Sequence, residues 1–231
     1  MLILALDTTT SAGSCALVGD GRLVREEASD PTRPQAARLP GELAALLERA
    51  GVALADIDAY AAGVGPGSFT GLRVGIATMQ GVATAMRKPL FGVSALDALA
   101  RIAAVSRVAT WVDAWRGEVY AALYENGREL EPPTVSRPEV MLGPLTNRET
   151  CFTGDGAARY CDVIRRTLGD RARFTEPIAP LLAGPMGEIA FEAWQAGHRP
   201  APDAIRPLYV RRPDAELARD LPDPPRGSRR S

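Results

Sequence analysis

Apolar positions along this chain follow two alternating periods, and the first hundred residues show both. Residues 2–7 (L-I-L-A-L-D) form an unbroken apolar run that ends on a carboxylate, as a buried strand would. Residues 14–19 and 22–28 are two more strand-like runs, joined at Asp20-Gly21. Asp-Gly between apolar runs is a hairpin signal, because glycine accepts the positive φ of a tight turn. The chain is therefore expected to open with three strands in meander. The period then lengthens. Leucines at 39, 43, 46 and 47 mark one face of a helix over 35–50, and Gly51 is placed to end it. Pro40 should kink or start that helix. Strands over 59–64 and 90–93 and helices over 70–86 and 95–104 follow in alternation.

The opening pattern returns 106 positions later, from Asp7 to Asp113. Val108 to Val112 is an apolar run closed by Asp113, and residues 118–124 read as the second strand again. Ala122 and Leu123 match Ala16 and Leu17, and Asn126-Gly127-Arg128 matches Asp20-Gly21-Arg22, so the turn chemistry itself is repeated. A strand over 151–153 and helices over 156–168 and 180–196 complete the second half. Each half thus reads as a meander followed by α and β units. Two such halves predict an α/β chain with a duplicated ribonuclease-H-like fold, that of the actin, Hsp70 and sugar-kinase superfamily, with two lobes of mixed sheet and flanking helices. The expected divisions are 1–104, 105–212 (a reduced copy), and a Pro-, Asp- and Arg-rich tail over 213–231 expected to be disordered.

Composition mainly excludes. The 231 residues are 46% apolar and 24% charged, an ordinary globular balance, and no apolar run is long enough for a bilayer. The first apolar run lacks a basic leader and is closed early by Asp7, so a buried strand in a cytoplasmic protein is expected rather than a signal peptide. A net charge of −1 supplies no general field toward nucleic acid. His198 is the only histidine, so a His-rich metal site is impossible. Cys15, Cys151 and Cys161 form no C-x-x-C pair and suit reduced thiols. The only lysine, Lys88, precedes Pro89, which rules out a Walker loop, and Ser68 lies outside any G-x-S-x-G elbow. No catalytic residue and no metal ligand set is assigned.

What remains is a glycine-rich loop and the helix it opens. Residues 63–73 read G-V-G-P-G-S-F-T-G-L-R directly after a strand. Backbone amides at such a turn make an anion site, but Ser68 or Thr70 would equally serve as the N-cap that satisfies them. D-T-T-T at Asp7 to Thr10 resembles the superfamily's first phosphate loop, or is a turn capped by threonines. Asp7, Thr8, Thr9, Gly65, Gly67 and Ser68 are accordingly the candidates for a degenerate nucleotide site. The helix over 70–86 carries Gly71, Gly75 and Gly81, each costing about 1 kcal/mol against alanine. Such glycines permit close backbone approach, either beneath the protein's own sheet or against another subunit. The subunit reading makes Gly71, Gly75, Met79 and Gly81, with Leu39, Leu43 and Leu46 alongside, a candidate interface. On that reading Gly75→Leu or Gly81→Leu would abolish partner binding and leave the fold intact.

Several of these strings resemble one family, TsaB (YeaZ), from Leu2 to about Arg212. They are L-A-L-D-T-T at 4–9, G-P-G-S-F-T-G-L-R at 65–73, D-A-W-R-G-E-V-Y at 113–120 and P-L-Y-V-R at 207–211. The third, with Asp113, Arg116 and Tyr120, separates the family from its catalytic paralogue TsaD. The resemblance implies an accessory, non-catalytic subunit that binds a TsaD-type transferase through its N-terminal-lobe helices. That transferase forms N6-threonylcarbamoyladenosine beside the tRNA anticodon. The resemblance also implies a TsaE-type ATPase as third partner, a homodimer when alone, tRNA contact only through the complex, and no cofactor of its own, with ATP or ADP possible in the assembly. The missing H-x-x-x-H metal pair agrees. The chain departs from the pattern at the start of the first helix, where relatives often carry a His and this one reads Thr32-Arg33-Pro34-Gln35. An active ATP-dependent phosphotransferase of the same superfamily is the alternative.

Overall fold

The structure, a computed structural model, describes residues 1–30 and 32–211; the expected tail over 213–231 lies outside the described residues. The opening meander is present as β1 (Leu2–Asp7), β2 (Ser14–Gly19) and β3 (Arg22–Ala28). They are followed by α1 (Gln35–Ala50), β4 (Ala59–Gly65), α2 (Phe69–Met86), β5 (Leu90–Ser94) and α3 (Ala95–Ala103). The second half contains β6 (Arg107–Asp113), β7 (Val119–Glu125), β8 (Arg128–Glu129), β9 (Thr134–Ser136), α4 (Pro138–Leu142) and β10 (Thr150–Thr153). It closes with α5 (Asp155–Arg159), α6 (Cys161–Leu168), β11 (Ala172–Phe174) and α7 (Ala183–Gln195).

The strands form two sheets of the same order, β3-β2-β1-β4-β5 and β8-β7-β6-β10-β11, with β9 also paired to β7. In both, the first three strands are antiparallel and the rest parallel. The duplication inferred from turn residues is therefore a duplication of topology. At both hairpins the two central residues have positive φ, 48° and 76° at Asp20-Gly21 and 52° and 74° at Asn126-Gly127. That is the primed turn whose twist suits the flanking strands.

Strand alternation sends residues to two opposite layers. Leu4, Leu6, Leu17 and Tyr60 face α1 and α2, where they meet Leu39, Leu43, Leu46, Ile76 and Met79. Ile3, Ala5, Val18, Ala61 and Phe91 face the other way, onto Ala183 and Ala190 of α7. α3 lies against the second sheet, with Leu96 and Leu99 packed on Val108, Val112 and Tyr124, and α3 and α7 also touch each other. The two sheets divide between β5 and β6, yet each half's last helix lies against the other half's sheet.

Some elements differ from expectation. α1 runs unbroken from Gln35 to Ala50 through Pro40, whose ring is exposed. The helix expected over 156–168 is split at Tyr160, which leaves the helical region at φ −109°, ψ 21°. β9, α4 and β11 are three to five residues long, too short to display a period.

Candidate functional site at the lobe junction

The turn after β1 and the loop between β4 and α2 close on each other. Asp7 ends β1 with its carboxylate 1% exposed. Its Oδ1 accepts the Thr9 N–H at 2.7 Å and the Thr9 hydroxyl at 2.6 Å, and its Oδ2 accepts the Thr10 hydroxyl at 2.9 Å. Burial pushes the Asp7 carboxyl above its usual range, while the Thr9 and Thr10 hydrogen bonds pull the other way. The Ser68 N–H donates to the Thr9 carbonyl at 2.9 Å, and Ser68 caps α2 by accepting the Gly71 N–H at 3.2 Å. The glycines explain how the segments come so close. A Cβ at Gly67 would lie 2.2 Å from the Thr9 carbonyl oxygen, and one at Gly75 would lie 2.1 Å from Thr8 Oγ1. Asp7, Thr8, Thr9, Gly67 and Ser68 are therefore brought together, with their polar groups largely turned on one another, whereas Gly65, at φ 109°, lies against Leu72 and the Leu208 carbonyl.

The interface expectation is corrected for most of its residues. Leu39, Leu46 and Met79 have no exposed surface and Leu43 has 5%; they are core of the first lobe. Gly71 and Gly75 are buried against the Thr8 turn, so a bulky residue at 75 attacks the fold itself. Gly81 alone of the set faces outward, with nothing within 4 Å of its would-be Cβ. It belongs to a ridge of exposed residues four apart on α2, namely Phe69, Arg73, Ala77, Gly81 and Ala85.

Facing Asp7 across the junction are Asp113, at the end of β6, and Asp155, at the start of α5. Asp155 Oδ1 accepts the Asp113 N–H at 2.9 Å, and the Ser11 backbone of the first half also favours the charged form of this carboxyl. Burial pushes the Asp155 carboxyl up to about 6. The Asp113 N–H opposes that, the Asp113 and Asp7 carboxylates add to it, and the Ser11 backbone again opposes. Asp113 Oδ1 accepts the Trp115 N–H at 3.2 Å, and its Oδ2 lies 3.6 Å from the Arg159 guanidinium. Among the described residues no group of three or more His, Cys, Asp or Glu is placed to hold a metal ion. Asp155 was not singled out from sequence: it follows the short, half-polar strand T-C-F-T and a glycine, without the apolar run that marked Asp7 and Asp113.

Two more contacts complete the junction. The α7 N-terminus is filled by the first lobe: Ser14 Oγ accepts the Leu182 and Ala183 N–H groups at 3.3 and 3.0 Å, and Glu26 accepts the Gly184 N–H at 2.8 Å. An anion is favourable at a helix N-terminus, and here the protein supplies its own. The second is a strap formed by residues 205–211. The Leu208 N–H donates to the Val64 carbonyl at 2.7 Å, the Tyr209 hydroxyl takes the Arg73 Nε–H at 3.2 Å, and Arg211 binds the Ala114 carbonyl and the Glu118 carboxylate. Arg211 also lies 5.8 Å from the Tyr120 ring, which joins the strings at 113–120 and 207–211 in space. Arg116 is held in the hairpin between β6 and β7 at φ 53°.

Comparison with known proteins gives this geometry its family. The family described as TsaD: tRNA N6-adenosine threonylcarbamoyltransferase matches residues 29–183. The tRNA threonylcarbamoyladenosine biosynthesis protein TsaB of Escherichia coli is 35% identical over 222 residues, covering 91% of this chain and 95% of its own. This chain belongs to the TsaB (YeaZ) family. YeaZ from Pseudomonas aeruginosa superposes with a TM-score of 0.72 at 34% identity, over 90% of this chain and 99% of that one. Component A of the (R)-2-hydroxyglutaryl-CoA dehydratase of Acidaminococcus fermentans, at 13% identity, covers 86% of this chain and 100% of that one with a TM-score of 0.56. That likeness concerns the fold alone. Among the described residues no helix is long and apolar enough to cross a membrane.

Proposed function

We propose that this chain is a non-catalytic partner subunit, which binds a TsaD-type transferase and supports it in forming N6-threonylcarbamoyladenosine in tRNA. Family membership supports the pathway, and the closed turn supports the accessory role. Asp7, the carboxylate that would orient a metal or water in a phosphate loop, is engaged by Thr9 and Thr10 and buried. A chain with one histidine also has no H-x-x-x-H metal pair. In this reading the turn and the glycine loop work as a latch that fixes α2, and nucleotide enters only with the assembled complex and its TsaE-type ATPase. The outward ridge of α2, from Phe69 to Ala85, is the surface offered to the transferase or, when the chain is alone, to a second copy.

Size-exclusion chromatography with light scattering, first on the chain alone and then with the TsaD-type protein of the same organism, tests this. A mixed species is expected, with threonylcarbamoyl transfer to tRNA only when both are present. ATP turnover by the chain alone, with no mixed species, would instead select the phosphotransferase.

A further inference from the structure

Away from the junction, the C-terminal end of α2 and the segment 199–203 that follows α7 form an open groove of about 490 Å3 whose walls carry Arg87, Lys88 and Arg199. Chain geometry puts them there. Arg87 ends α2 in the left-handed region at φ 54°, and the Lys88 N–H closes on the Ala83 carbonyl at 3.0 Å. The segment carrying Arg199 is fastened alongside. The Leu90 N–H donates to the Pro200 carbonyl at 3.3 Å, and the Gln80 amide donates to the Pro202 carbonyl at 3.0 Å. Cations near helix C-termini complement the partial negative charge there, and Arg199 does so through Nη1, which binds the Trp194 and His198 carbonyls at 2.8 and 2.6 Å. That accounts for one nitrogen of one residue. Among the described residues no carboxylate forms an ion pair with Arg87, Lys88 or Arg199. Among the described residues Asp203 is the only acid on the groove wall. Most other arginines with assigned partners, such as Arg38, Arg101 and Arg211, are paired with glutamates.

We propose that this groove is a contact site for the phosphodiester backbone of RNA, with an unpaired nucleotide seated between the end of α2 and the segment 199–203. The proposal rests on the tRNA-modification reading and names a surface of this chain for it. Three points favour RNA over an acidic protein segment. The groove falls within the roughly 300–1,000 Å3 of small-ligand sites, large enough for a nucleotide and more than a single carboxylate needs. The Arg199 guanidinium carbon lies over the Trp194 ring, 3.4 Å from its centroid, and a guanidinium held on one face can stack an unpaired base on the other. Ala83, Pro89, Pro200 and Ala201 add apolar walls suited to a sugar and base. Three cations on a chain of net charge −1 cannot attract RNA at long range, so the site acts once the transferase has brought the tRNA near.

The test compares wild type with the Arg87→Glu/Lys88→Glu double variant in the assembled complex and as the chain alone at low salt. Arg199 is left intact because it caps α7. tRNA affinity would be measured by filter binding against salt concentration, and assembly by size exclusion. The expected result is unchanged assembly, about tenfold or greater loss of tRNA affinity near 0.1 M salt, and a shallower dependence of log K on log salt, by about 1 to 2. Equal affinity and equal slope would overturn the proposal. Loss of assembly by the variant would also overturn it, by making the groove a seat for an acidic part of the partner. A wild-type chain that forms no complex would defeat the tRNA-modification reading instead; unequal tRNA binding by the two chains alone would still support the site.

Discussion

Two glycines six residues apart on α2, Gly75 and Gly81, have opposite meanings. Gly75 lies under the Thr8 side chain, where even a methyl group has no room; Gly81 looks into open space. Gly75→Ala is expected to lower the unfolding free energy by about 2–4 kcal/mol, because the turn that supports Asp7 must move. Gly81→Leu is expected to leave stability equal or raise it by about 0.5–1 kcal/mol, through better helix propensity, while weakening association with the TsaD-type partner. Chemical denaturation and size exclusion on the two purified variants read both effects. Intact partner binding by Gly81→Leu would remove the α2 ridge as the docking surface. Sequence alone could not separate these residues: a glycine's spacing shows which helix face it shares, but not what lies above that face.

At the level of elements, the hairpins and long helices were legible because each repeats a period over six or more residues, and the shorter parallel strands β5 and β10 because they fall between helices in the alternating pattern. The turn pairs Asp20-Gly21 and Asn126-Gly127 carried the duplication, since both φ values in each are positive and few residue pairs tolerate that. Short pieces such as β9 and β11 owe their existence to a neighbouring strand and were not legible. The leucine face of α1 was read correctly as a face but assigned to a partner, when its own sheet covers it. α1 also retains Pro40 in an exposed position without a break, at the loss of one backbone hydrogen bond. Pro40→Ala should therefore stabilise the protein by about 1–3 kcal/mol. A lower midpoint on thermal unfolding would mean that the ring holds the entry of α1 in place.

For the molecule as a whole, the two halves meet through carboxylates. Asp155 accepts the Asp113 N–H on one side and is favoured as a carboxylate by the Ser11 backbone on the other, and its folded-state carboxyl is pushed up to about 6 against an ordinary 3.8. Between those values the native state binds more protons than the unfolded chain, so this group's contribution to stability falls as pH rises from about 4 and levels off above about 6. The displacement corresponds to on the order of 3 kcal/mol. Asn at this position can still accept the Asp113 N–H but does not titrate. The unfolding free energy of Asp155→Asn minus that of wild type is expected to grow from pH 4 to pH 7, and pH profiles that stay parallel would refute the assignment. This junction was half legible: Asp7 and Asp113 came from the repeat, whereas Asp155 and the strap needed the second lobe in place.

The crossing of the last helix onto the first sheet also bears on the order in which the protein is made. Strands β1 to β5 have left the peptidyl-transferase centre once Ser94 is added, yet the helix that covers Ile3, Ala5, Val18 and Phe91 begins only at Ala183. Those 89 further residues (183 − 94) take roughly 5–20 s to translate at ordinary elongation speeds. Through that interval a finished sheet has one greasy side open to the cytosol. The N-terminal half, the part with the full-length copy of the repeat, is thus the part that cannot mature first. Burial of that face waits on almost the last described helix.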